Sequence, residues 1–173
     1  MKGKLGLLQA AKGLMDEILN PQMSFDEDTS LLAAETKLAQ NAKKIALMTL
    51  GTAAQKYMMG LSEQQEVLVN CADIIMDAYQ METAILRAKK YAEKNGEEAA
   101  GRYIDMASVF CNDAIQRIDA KAKNTIAAIA EGDEGRTLLV ALKRFTKNNS
   151  PVNTIAARQR IADTMIQANT YVY

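Results

Sequence analysis

The sequence has no histidine and no tryptophan. The missing histidine removes the paired Glu-x-x-His motifs of a ferritin-like di-iron site, the usual ligands of a zinc hydrolase, and the base that a Ser or Cys nucleophile ordinarily needs. Glycine is sparse as well, with nine in 173 residues, and none falls in a phosphate-cradling run. The segment Gly132-Asp133-Glu134-Gly135 reads as an interhelical turn. No catalytic, cofactor-binding or metal-binding residue is therefore assigned within the chain. Neither sign of charge dominates, with 21 basic against 21 acidic residues, so no overall field draws in nucleic acid. No apolar run approaches the roughly 20 residues that span a bilayer. Met1-Lys2-Gly3-Lys4 leads into an amphipathic stretch and not a signal sequence, so a soluble, cytoplasmic protein is expected. The two cysteines, Cys71 and Cys111, fit reduced thiols packed as small hydrophobes.

What is present favours helix throughout. Only two prolines occur, while Ala, Leu, Lys, Glu, Gln and Met recur, and these are good helix formers. A first helix is expected from about Leu5 to Asn20, with Leu7 or Leu8, Ala11, Met15, Ile18 and Leu19 on one side and Pro21 as its stop. The acidic stretch from Met23 to Asp28 reads as a mobile loop. A long pattern follows from Thr29 or Ser30 to Met59 through Leu31, Leu38, Ala42, Ile45, Thr49 and Ala53, with Gly60 as its C-cap. Ser62 and Gln65 have capping-box spacing ahead of the strongest helix. Its stripe, Val67, Cys71, Ile74, Ala78, Met81, Ile85, Ala88 and Ala92, alternates steps of four and three, a heptad seam that calls for a neighbour at a small crossing angle.

Lys94-Asn95-Gly96 ends that helix, and Glu97 and Glu98 suit the start of the next. A fourth pattern runs from about Ala99 to Ala130 through Ile104, Ala107, Cys111, Ala114, Ile118, Thr125 and Ile129. After Glu131-Gly132-Asp133, Leu138, Leu139, Leu142 and Phe145 resume it up to Lys147. Pro151, capped by Ser150, is placed to open a last helix to about Gln167. Each long helix of about 30 residues spans roughly 45 Å. Tight turns then make the chain one all-α domain, residues 1–173: an up-and-down bundle of three long antiparallel helices with shorter flanking ones.

Antiparallel helices joined near Glu97 place Asp77 level with Arg117 and Asp73 near Lys121, and they separate Cys71 from Cys111 by about 18 Å along the axis. Asp73 and Asp77, four apart beside the seam, could in principle do acid–base work. A solvated acidic ridge, or partners for basic residues on the neighbouring helix, is the simpler assignment, and Asp77 with Arg117 is expected to form a partly buried ion pair that fixes register. The ten methionines at helical spacing read as core filler. Arg136, Lys143, Arg144, Lys147, Arg158 and Arg160 lie in a stretch with no acidic residue. That stretch could meet anionic lipid or an acidic protein, although a solvated cationic surface is the simpler reading.

The run Gln65-Glu66-Val67-Leu68 through Ala72-Asp73, Asp77, Tyr79, Met81 and Arg87-Ala88 resembles a helix in the extra C-terminal domain of very-long-chain-type acyl-CoA dehydrogenases. The likeness continues through Cys111, Ala114 and Arg117-Ile118 and into Leu139 to Phe145, covering the chain from about Leu31 onward. The resemblance implies a non-catalytic C-terminal domain of a longer flavoprotein that oxidises acyl-CoA between its α and β carbons. The FAD and the glutamate base of such an enzyme lie in domains that these residues do not include. It further implies the catalytic domains of the same enzyme as partner and a homo-oligomer; Asp73, Asp77, Arg87 and Arg117 are expected to be structural or interaction residues. The alternative is a free-standing helical adaptor, starting at Met1, that binds a partner helix or a membrane surface.

Overall fold

The computed structural model describes residues 6–20, 28–149 and 151–170. Among these the protein is all helix: α1 (Gly6–Leu19), α2 (Ala33–Tyr57), a 3-10 segment (Met58–Glu63), α3 (Gln65–Asn95), α4 (Gly101–Ile129), α5 (Gly132–Phe145) and α6 (Thr154–Ala168). The three long helices α2, α3 and α4 pack on one another. α1 lies on α2, α6 on α4, and α5 on both α2 and α4, while the substantial contacts of α3 are with α2, α4 and the 3-10 segment.

The heptad seam of α3 explains this arrangement. All eight of its residues from Val67 to Ala92 are buried, and all but Ala92 share one core with Ala107, Cys111, Ala114, Ile118 and Ile129 of α4 and Leu38, Ala42, Ile45 and Ala53 of α2; Thr49 and Thr125 are buried as well. Small Ala and Cys side chains let the helix axes approach. Ile74, Met81, Ile118 and Ile45 fill the layers between, each contributing about 1.5–3 kcal/mol by burial. Thr49 and Thr125 enter this core without penalty because their hydroxyls donate to the carbonyls of Ile45 and Lys121 one turn back. Gly51 of α2 permits close approach of α1: a Cβ there would lie 2.5 Å from that of Ala11.

Several boundaries differ from the sequence expectation. α2 ends at Tyr57, not near Gly60, because the chain leaves the helix at Met58 with φ 48°. Lys56 and Tyr57 both donate to the carbonyl of Ala128 at the end of α4, at 2.9 and 3.1 Å, tying the helix end there. Gly60 and Ser62 consequently lie inside the 3-10 segment, and Gln64, without a side-chain cap bond, precedes α3 in place of a Ser62 capping box.

The turn between α4 and α5 is Ala130 and Glu131, in extended conformation. Gly132 (φ 55°) and Gly135 belong to the first turn of α5, where Gly135 passes 3.3 Å, measured from an added Cβ, from the Ala130 carbonyl oxygen. α6 starts beyond Pro151, at Thr154, because the Asn153 side chain accepts from the Ala156 amide. In α1 the buried line is Ala11 and Leu14, and Leu19 is exposed, as is Leu139 in α5. Met48 and Met81 are core residues, but Met58, Met59 and Met76 are exposed, so methionine is not uniformly filler. The acidic loop before Asp28, the stop at Pro21 and the Ser150 cap lie outside the described residues. No helix among the described residues is long and apolar enough to cross a membrane.

Candidate interaction site

The polar chemistry of the bundle concentrates where α4 meets its neighbours. On the α3 side, Arg117 donates to both carboxylate oxygens of Asp77, Nη2 to Oδ1 at 2.7 Å and Nε to Oδ2 at 3.2 Å. One turn further along, Lys121 donates to Asp73 at 2.5 Å. The Asp77 side chain is 12% exposed and that of Arg117 45% exposed, so the carboxylate lies inside the interface and the guanidinium at its rim. The hydrogen bond to Asp77 pushes the Arg117 pKa up; burial opposes it, and the charges of Asp77 and Asp113 add smaller upward pushes. Arg117 also lies over the Phe110 ring, 5.5 Å from its centroid. A carboxylate pair intended for acid–base catalysis would face a cleft; Asp73 and Asp77 face cations of α4.

Arg87, the remaining residue of the resemblance, lies above Tyr103 at 5.9 Å from the ring centroid, with Arg102 at 4.9 Å from it. Tyr103 in turn packs on Tyr91, centroids 4.3 Å apart. Arg87 thus joins an aromatic cluster near the α3–α4 turn and does not meet Asp73 or Asp77.

The basic stretch is divided by the fold. Arg160 makes a bidentate pair with Asp105 (2.6 and 2.8 Å), and Arg158 reaches Asp113 at 2.6 Å, fastening α6 to α4. Asp105 raises the Arg160 pKa, chiefly through the hydrogen bond. Arg136 pairs with Asp133 at 3.1 Å and Arg144 stacks on Phe145, 4.9 Å from its ring centroid. Lys143 lies on the same helix and Lys147 just past its end, so four of the six cations belong to the α5 region and two to α6. The acidic partners Asp105 and Asp113 escape the sequence reading. The signal for them is their eight-residue spacing, which sets both on one face of α4.

A buried carboxylate was also missed. Glu35 of α2 accepts from the Ser108 hydroxyl at 2.6 Å in the core. It lies close enough to Cys111 for its charge to add to burial, which together push that thiol up to about 12. Both cysteines are free and buried.

A cleft of about 250 Å³ between α1 and α5 is lined by Ile18, Arg136, Thr137, Val140, Ala141 and Arg144. It offers two guanidinium groups above an apolar floor, but it is smaller than the roughly 300–1,000 Å³ of a drug-sized ligand site.

Comparison with known proteins places these features in a family. The C-terminal domain of acyl-CoA dehydrogenases matches residues 41–144. A probable acyl-CoA dehydrogenase of Bacillus subtilis (strain 168) is 36% identical over 171 residues, which are 99% of this chain and 28% of that protein. A crystal structure of an acyl-CoA dehydrogenase complexed with FAD from Bacillus anthracis superposes with a TM-score of 0.93 at 39% identity, covering 100% of this chain and 29% of that one. The chain thus spans under a third of the length of the relatives it matches. Among the described residues, the cleft beside α5 is too small to hold a flavin.

Proposed function

This chain belongs to the acyl-CoA dehydrogenase C-terminal domain family, and from that premise we propose that residues 1–173 form one non-catalytic domain closing a longer, cytoplasmic, FAD-dependent acyl-CoA dehydrogenase. There it covers and braces the flavin-bearing body and its homo-oligomer. The enzyme removes two hydrogens from the α and β carbons of a fatty acyl-CoA, using flavin and a base carried elsewhere in the protein. The observation that carries this reading is the engagement of Asp73, Asp77, Asp105 and Asp113 in ion pairs across α4. Carboxylates so held stiffen a bundle and have no cleft in which to act on a substrate. Asp73, Asp77 and Arg117 hold the register of the long helices, and Arg87 secures the end of the bundle through Tyr103.

Two preparations test the proposal. The isolated chain is titrated with FAD and assayed for acyl-CoA-dependent dye reduction; neither flavin binding nor turnover is expected, and stoichiometric flavin retained through gel filtration contradicts the reading. A graft, in which this chain replaces the matching 29% of the Bacillus anthracis relative, is expected to keep its flavin and to oxidise acyl-CoA.

A further inference from the structure

α3 carries two apolar stripes. One is the buried seam; the other lies on the opposite side and consists of Val69, Ala72, Met76, Tyr79, Thr83 and Leu86, all exposed. The four large members are 58, 52, 65 and 59% exposed for Val69, Met76, Tyr79 and Leu86. Steps of three and four keep them in line over about 25 Å. A helix face turned to water is ordinarily polar, and α1, α5 and α6 cover the other long helices but leave this face of α3 open. A continuous apolar line of this kind marks an interaction surface.

The stripe reads the same from either end. Turned end for end about a two-fold axis between Asp77 and Ala78, Val69 faces Leu86, Ala72 faces Thr83 and Met76 faces Tyr79. Large residues meet large ones in the outer and central layers, and small meet small between them. The same turn brings Glu63, the last residue of the 3-10 segment, and Glu66 in the first turn of α3 to the end of the other copy that carries Lys90, Glu93 and Lys94, all exposed, so that two glutamates meet two lysines and one glutamate. None of these five is in an ion pair among the described residues. A parallel arrangement would set glutamates against glutamates and lysines against lysines. We propose that the outer face of α3 is the contact between two copies of this chain, packed antiparallel in an isologous, two-fold interface. The inference rests on the accessory-domain reading by naming the surface through which that domain contributes to the homo-oligomer.

Variants with one added, exposed cysteine decide it, the native Cys71 and Cys111 being buried. Chains carrying Ala72→Cys and chains carrying Thr83→Cys, both exposed positions, are mixed and oxidised with glutathione disulfide. The mixture is expected to give a disulfide-linked dimer, whereas each variant alone should not, since like positions lie about 16 Å apart along the axis, beyond disulfide reach. Tyr79→Lys in both chains should prevent the cross-link without unfolding the bundle. Cross-linking of Ala72→Cys with itself, or no cross-link in the mixture, overturns the proposal. The same pairs are then placed in the graft. A flavin-loaded, active graft that does not cross-link overturns the α3 pairing and leaves the accessory-domain reading standing. A graft that cross-links but has lost its flavin supports the pairing and counts against that reading.

Discussion

Arg117 grips Asp77 with two nitrogens across the α3–α4 interface, and the two side chains are unequally placed, the carboxylate inside and the guanidinium at the rim. The consequence of breaking the pair therefore depends on which partner is lost. Arg117→Ala leaves a carboxylate desolvated and unpaired and should cost about 2–3 kcal/mol. Asp77→Ala leaves a guanidinium that can extend into water and should cost about 1 kcal/mol. The double variant should be no less stable than Arg117→Ala alone, a coupling of about 1 kcal/mol in a urea-denaturation cycle. Additive losses would remove the pair from any account of helix register.

The core thiols make stability fall at high pH. Burial, and then the charge of Glu35, push Cys111 up to about 12; burial also raises Cys71, against a hydrogen bond with Thr49. An unfolded thiol titrates at about 8.5. Below that pH both states hold the proton and the contribution is complete. Between about 8.5 and 12 only the folded protein holds it, so stability declines as pH rises through this window. Cys111→Ala should flatten the decline of the urea midpoint between about pH 9 and 11 relative to the native chain. An unchanged slope would show that the thiol does not contribute.

Gly51 admits α1. An added methyl would lie 2.5 Å from the Ala11 Cβ, so Gly51→Ala should lose about 1–3 kcal/mol to overpacking despite a gain of up to about 1 kcal/mol in helix propensity. Ala11→Gly in the same chain should recover most of the loss. Denaturation midpoints of the two single variants and the double variant measure this; a Gly51→Ala chain at least as stable as the native one would mean that α1 does not pack as described.

The seam of α3 and the level of Asp77 with Arg117 are both legible in the sequence, for one reason: an unbroken heptad followed by a short turn fixes phase and register together, and no distant segment intervenes. Gly60 and Ser62 mislead because α2 ends early, where Lys56 and Tyr57 find the Ala128 carbonyl, a partner 72 and 71 residues away respectively. The neutralisation of Arg158 and Arg160 is likewise invisible locally, since it depends on where the chain lays α6 after Phe145. Glu35 reads as a surface residue at the start of a helix until α4 brings Ser108 against it. The aromatic cluster of Tyr91, Tyr103 and Arg87 arises only when the α3–α4 turn folds back.

The claim that this bundle braces a flavoprotein is tested most directly by flavin release on heating. The Bacillus anthracis relative, which binds FAD, the same protein truncated before the matching region, and the graft carrying this chain are heated while flavin fluorescence is followed. Truncation should lower the release midpoint, the graft should restore it, and Arg117→Ala in the graft should lower it again in step with the loss measured for the isolated bundle. A truncated protein that holds its flavin as firmly as the intact relative would contradict the account.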